Sequence, residues 1–202
     1  QQGGLSMKEN QITLQQYRGI DLSILFAVMA VSQFLIVKAS TRWFSDQLYV
    51  VSPVAAVTAL VMMRWGVWAG IHGFAGGILF TALSGGSWQH YLIYGLGNLA
   101  SLAALPLLKI AGKDQIRKDL ILSLVFALGV QLLMQLGRAG LAKLLGHSWM
   151  EALGFITTDI LSVLFTMVII GIVRRIDGLF EDQKTYLLRI RKERNQEGRE
   201  QF

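Results

Sequence analysis

The sequence predicts an all-α integral membrane protein: a bundle of six transmembrane helices with both termini on the cytoplasmic side. Three observations predict it. Of 202 residues, 53% are hydrophobic and only 16% charged, with mean hydropathy +0.47, whereas a soluble chain of this size carries more charge. Apolar runs long enough to cross a bilayer core recur along the chain. Lysine and arginine are divided unevenly between the polar segments that separate those runs.

Gln1 to Ser6, ahead of Met7, reads as a cloning remnant, and residues 7–18 as a polar cytoplasmic segment. The membrane domain is expected over 19–175. Its first span covers 19–37 and lacks the small-residue cleavage site of a signal peptide. A polar and aromatic loop follows, with Trp43, Asp46 and Gln47. The second span covers 48–63, with Pro53 tolerated in its first turn, and Arg64-Trp65 marks a turn. The third covers 66–83, and Ser84 to His90 is a loop. The fourth covers 91–108, followed by a charged loop, 109–118. The fifth covers 119–136, then a connection to His147, and the sixth covers 148–173. Residues 176–202 form a cytoplasmic amphipathic tail, which suits either the anionic inner leaflet or solvent.

Six crossings put both ends on one side. That side then holds Lys8, Arg18, Arg64, the four basic residues of 109–118, Arg174, Arg175 and six more in the tail, fifteen of the nineteen lysines and arginines. Only Lys38, Arg42, Arg138 and Lys143 lie elsewhere, so the termini are cytoplasmic by the positive-inside rule.

The third span carries Gly66, Gly70, Gly73 and Gly77. At about 100° per residue these fall on one stripe of a helix. In water such glycines weaken a helix by up to about 1 kcal/mol each. In a bilayer the backbone bonds to itself regardless, and a glycine stripe admits a neighbouring backbone. Helix packing is the expected role, with a ligand contact through His72 as the alternative.

Polar residues inside a membrane are costly and usually face a cavity or one another. The fourth span presents Tyr91, Tyr94, Asn98 and Ser101 on one face, and the fifth Gln131, Gln135 and Arg138. The sixth presents Glu151, Thr158 and Ser162 with Asp159 beside them. Three such faces in the outer half of the bilayer imply a pocket open to the exterior, roofed by Trp43, Asp46 and Gln47. Gln131, Gln135 and Asn98 also suit interhelical hydrogen bonding, and Tyr91 an aromatic belt. Asp159 needs a partner, which Arg138 or a ligand cation would supply.

Several function classes are not indicated. There is no cysteine, hence no disulfide or thiolate chemistry. His72, His90 and His147 lack metal-ligand spacing. The chain has no Walker motif, no nucleophile–base constellation and no basic–aromatic array for nucleic acid. Neither an enzyme nor a cofactor-dependent protein is expected.

Ser52-Pro53-Val-Ala-Ala-Val-Thr-Ala59, the glycine-rich 66–77 and Tyr94-Gly-Leu-Gly97-Asn98-Leu-Ala-Ser-Leu102 resemble the substrate-binding S components of energy-coupling factor (ECF) vitamin transporters. The resemblance spans 19–175. It implies six helices, cytoplasmic ends and a ligand pocket near the outer surface of a bacterial plasma membrane. It also implies docking on a transmembrane coupling subunit driven by two ATPase subunits. Members often dock through Ala-x-x-x-Ala on the first helix; Ser23-x-x-x-Ala27 is the nearest match here. On this reading Trp43, Tyr91 and Tyr94 stack on the ligand and Asn98, Gln131 and Gln135 hydrogen-bond it. Arg138, Glu151 and Asp159 then set its charge preference. A ligand-free membrane scaffold of the cell envelope is the alternative.

Overall fold

The computed structural model describes residues 13–43 and 51–200, with only the backbone described at Thr41, Trp43, Asn195 and 197–200. The roof residues Asp46 and Gln47 lie outside the described residues, as does the side chain of Trp43. All regular structure among the described residues is helical. Five stretches are long and apolar enough to cross a membrane: Leu14–Ser40, Val54–Ser84, Trp88–Ile110, Leu120–Leu144 and Trp149–Val173.

Helix α1, Leu14–Trp43, exposes Ile20, Ile24, Val28, Val31 and Leu35 along one side. Its opposite side buries Leu25, Met29 and Gln33. The outward stripe is apolar, as a lipid-facing surface must be.

The second stretch is not one straight helix. Helix α2, Val54–Trp65, ends at Gly66, whose φ of 64° and ψ of −120° turn the chain. Only glycine adopts that conformation without strain. A 3₁₀ turn over Gly66–Trp68 leads into α3, Ala69–Ser84, which runs back beside α2. The return is visible where Gly76 meets Val54: a Cβ on that glycine would lie 2.8 Å from Val54 Cγ1. Gly66 therefore leaves the glycine stripe and is instead the reverse turn, with nothing within 4 Å of it. Helix α2 is the central element, buried at every residue except Val57.

Helix α4, Trp88–Asn98, continues through a 3₁₀ segment, Leu99–Ala104, into α5, Leu105–Ile110. It packs antiparallel to α3 on the remaining glycines. Gly70 faces Leu102, Gly73 faces Asn98, and a Cβ on Gly77 would run into the carbonyl of Tyr94. A short helix, α6, Lys113–Lys118, precedes α7, Leu120–Leu144. Asp119 caps α7, its side chain accepting from the N–H groups of Ile121 and Leu122. Helix α7 runs eight residues past the expected end at 136, because nothing after Leu136 breaks it until Gly146 (φ 91°). Arg138 thus sits within the bundle. Gly97 lies against the Arg138 backbone, where a Cβ would fall 2.9 Å from Arg138 Cα, and Gly137 lies against Gly97 in turn.

The last stretch is broken. Helix α8, Trp149–Thr157, opens on a capping box formed by Ser148 and Glu151. It stops at Thr158–Asp159, and α9, Ile160–Val173, resumes. The break changes the helix phase. Glu151 therefore points outward, with 61% of its side chain exposed, while Asp159, Ser162 and Thr166 point inward.

At the end of the bundle carrying the α2–α3 turn, Arg64 binds Asp21 through Nε and Nη2 at 2.9 and 2.5 Å. It also donates from Nη1 to the carbonyls of Gly178 and Leu179. Trp65 Nε1 donates to the same carboxylate at 2.6 Å. Phe180 is fully buried in the main core, and Gln183 is buried and accepts from Tyr17 Oη. Glu181 pairs with Arg117 and Arg189, and Lys113 with Asp182. The packed body thus reaches Gln183, beyond the boundary at 175 that hydropathy suggests. The tail helix α10, Gln183–Glu200, starts there, so Leu179 is part of the anchor and not of the tail's helical face.

Candidate functional site

Polar groups from α3, α4, α7, the α8–α9 break and α9 meet around Arg138. Its Nε donates to Asn98 Oδ1 at 2.7 Å and its Nη1 to Asp159 Oδ2 at 2.9 Å. Asn98 in turn donates through Nδ2 to the carbonyl of Gly73 at 2.8 Å, a contact available because Gly73 has no side chain. Gln131 Nε2 donates to Asp159 Oδ2 at 2.8 Å, and Thr166 Oγ1 donates to Gln131 Oε1 at 3.3 Å. Arg138 and Asp159 are almost fully buried, with side chains 5% and 11% exposed. A buried ion pair survives only where further hydrogen bonds offset desolvation; Asn98 and Gln131 supply them here.

The guanidinium also lies over the Tyr94 ring, 4.8 Å from its centre, a cation–π contact. Phe80 and Phe155 flank that ring at 4.9 and 5.7 Å, the second edge-on, and His90 stacks beyond it at 6.4 Å. Arg138, Tyr94, Phe80 and Phe155 line a cavity of about 30 Å³ together with Asn98, Asp159, Ser52, Val54, Thr158 and Gly77. Next to it a second polar chain joins three elements. Ser162 Oγ accepts from the Ser52 N–H at 3.0 Å, and Ser52 Oγ donates to Gln33 Oε1 at 2.9 Å.

Of the residues expected to touch a ligand, Tyr94, Asn98, Arg138 and Asp159 line this cavity. Gln131 stands behind Asp159 as its hydrogen-bond donor. Gln135 is buried, but its Nε2 has no partner among the described residues and it does not line the cavity. Tyr91 is only half-buried and lies off the cavity. Glu151 caps α8 instead. Its exposed carboxylate accepts from the Ser148 N–H at 2.7 Å, because the 158–159 break turns it away from Asp159. His72 is held by structure, its Nε2 3.0 Å from the Leu22 carbonyl. Ser23 and Ala27 are exposed on α1.

The cavity also draws on Thr158, from the expected polar face of the sixth span, and on Ser52, Phe80 and Phe155, which helical periodicity did not mark. Phe80 is three residues after Gly77 on the same helical face, and that spacing was a usable signal. Phe155, on α8, joins the cavity through its edge-on contact with Tyr94. Among the described residues, no group of histidine, aspartate and glutamate is placed to hold a metal ion. Compared with models of known families, with curated proteins and with solved structures, the chain matches none.

Proposed function

We propose that this chain is the substrate-capture subunit of an ECF-type importer. On this reading it crosses a bacterial plasma membrane six times, with α2 and α3 as separate crossings and both termini in the cytoplasm. It takes a small vitamin-like molecule from the exterior. It then docks through α1 on a transmembrane coupling subunit served by two ATPase subunits. It binds its substrate and performs no bond chemistry on it.

One observation carries the reading. A cation, an anion, a carboxamide and aromatic rings converge from α3, α4, α7 and the α8–α9 break on one cavity. A few convergent polar groups among aromatic walls is the usual make-up of a small-ligand site. Tyr94 and Phe155 would stack on the substrate, and Arg138, Asn98 and Asp159 would bind it. The exposed Ser23 and Ala27 leave a shallow patch on α1 where another helix can approach.

A ligand-free envelope scaffold is the second reading, and one observation favours it. A cavity of about 30 Å³ is close to one water's share of liquid volume, far below the roughly 300 Å³ of an ordinary ligand pocket. Capture therefore requires an opening. The segment suited to it is α8, bounded by Gly146 and the 158–159 break, which leaves Trp149, Met150 and Leu153 exposed.

Native mass spectrometry of gently purified protein separates the two readings. The importer reading expects a co-purified small molecule, and a melting temperature raised by at least one member of a vitamin and metabolite library. Arg138→Gln should abolish both. A bare protein whose melting temperature no compound in that library moves would leave the scaffold.

A further inference from the structure

We infer that the cavity takes an electrically neutral, planar ligand presenting a carbonyl beside an N–H, as in a cyclic amide or ureide. The inference rests on the capture reading above and names the chemistry of that same site.

Among the described residues, Arg138 and Asp159 are the charged side chains lining the cavity, and they already neutralise each other at 2.9 Å. Lys38, Lys143 and Glu151 do not line it. An acid or an amine entering this space would bring a charge with no counter-charge to meet it, and such burial is costly. A zwitterion would require two more ions to shed their water. A neutral ligand avoids both costs.

The hydrogen bonds then specify the edge. Asp159 Oδ2 accepts from both Arg138 Nη1 and Gln131 Nε2, and Arg138 Nε is committed to Asn98. Among the described residues, Asp159 Oδ1 and Arg138 Nη2 make no hydrogen bond, and neither is a sealed orphan of the interior. The pair therefore keeps a carboxylate oxygen as acceptor and the Nη2 group as donor for whatever enters. A ligand N–H fits the acceptor and a ligand carbonyl the donor, and a ring amide carries those two groups on neighbouring atoms. Once the cavity has opened as capture requires, the ring has walls to meet as well. Phe80, Tyr94 and Phe155 form the apolar walls, and aromatic faces favour a flat partner.

The test uses three pyrimidines that share one ring. Uracil carries the neutral amide edge, 1,3-dimethyluracil lacks both N–H donors, and orotate adds a carboxylate. Melting temperatures and equilibrium binding are measured on the full-length protein in detergent. Uracil is expected to stabilise it and to bind at least roughly tenfold more tightly than either relative, the cost of one unmade buried hydrogen bond or more. In Asp159→Asn the uncompensated Arg138 should reverse the order, with orotate restoring the lost melting temperature and uracil failing to. Orotate or dimethyluracil matching uracil on the wild-type protein overturns the inference, as does an unchanged order in the variant. If Asp159→Asn does not fold, the wild-type order decides alone. Uracil without effect, beside a co-purified acid or amine, overturns the ligand class and leaves the capture reading intact. No response to these probes or to the vitamin library removes both.

Discussion

Arg138 and Asp159, twenty-one residues apart, form a 2.9 Å ion pair buried inside the bundle. Each is held by a carboxamide from a different element: Asn98 for the arginine, Gln131 for the aspartate. Arg138 also ends where Gly97 and Gly137 let α4 and α7 nearly touch. The close crossing and the charged pair are one construction, since the arginine reaches Asn98 only because the two backbones are so near.

This pair gives an expected energetic pattern. Arg138→Leu or Asp159→Leu alone should cost about 3–5 kcal/mol, because each leaves an unpaired buried charge. The double variant Arg138→Leu with Asp159→Leu should recover much of that loss, since no ion remains to be desolvated. Thermal or denaturant unfolding of the four proteins gives the coupling energy as a double-mutant cycle. Simple addition of the two losses would mean that the residues do not interact.

The glycines give a second pattern. Gly77→Leu should sharply lower folded yield, because a side chain there collides with the Tyr94 backbone, and backbone cannot rotate aside. Forcing a large side chain into a packed site costs typically 1–3 kcal/mol or more. Gly171→Leu is the control, as nothing lies within 4 Å of that position. Equal melting temperatures for the two variants would show that α3 and α4 do not meet at Gly77.

The helical fold and the site's inner residues were legible because both rest on composition and short-range spacing. Asn98, Arg138 and Asp159 are conspicuous in apolar surroundings, and a buried charge must find its opposite. Two features were not legible. Gly66 fits the i, i+4 spacing of its stripe, yet the chain uses it as a turn; periodicity does not see that Arg64 and Trp65 are bound to Asp21 at the bundle's end. Glu151 and Asp159 lie eight residues apart, which continuous helix geometry places near one face. A two-residue break redirects one of them, and no proline or glycine at 158–159 announces it. The tail's anchor was hidden for a different reason. Phe180 is followed by polar residues, and its segment is held by partners more than a hundred residues earlier, such as Arg64, which donates to the neighbouring Leu179 carbonyl.

The proposed orientation is open to direct test in a chain with no cysteine. In the six-crossing topology proposed above, fifteen of nineteen basic residues fall on one side, so single cysteines at Gln11 and Asn195 should resist an impermeant thiol reagent in intact cells. Cysteines at Ser45 and Ser87 should react. Labelling at position 195 without permeabilisation would reverse the assignment.

The last expectation concerns acid and the tail. Asp182 precedes α10 and is partly buried. Burial alone raises its carboxyl pKa, but the Lys113 hydrogen bond and charge, with the N–H groups of Thr185 and Lys184, outweigh that effect and hold it below the ordinary value. Lys113 Nζ lies 2.6 Å from Oδ2, while Oδ1 accepts from the two backbone N–H groups at 3.2 and 3.1 Å. The sign follows from which state binds the proton more weakly. The folded state does, so the stabilisation is complete above the ordinary carboxylate pKa. It falls away only as pH drops from there through the depressed folded value. Hydrogen exchange over the first turns of α10 should therefore be constant from neutrality down to mildly acid pH, once corrected for intrinsic rates. Protection should fall in the strongly acid range, ahead of any change in the amides of α2. Asp182→Asn should lower protection at neutral pH to the acid level and remove the pH step, because a carboxamide can accept from the backbone but carries no charge for Lys113. A step of unchanged size and position in that variant would assign the transition to another carboxylate of the anchor, of which Glu181, paired with Arg117 and Arg189, is the next in line.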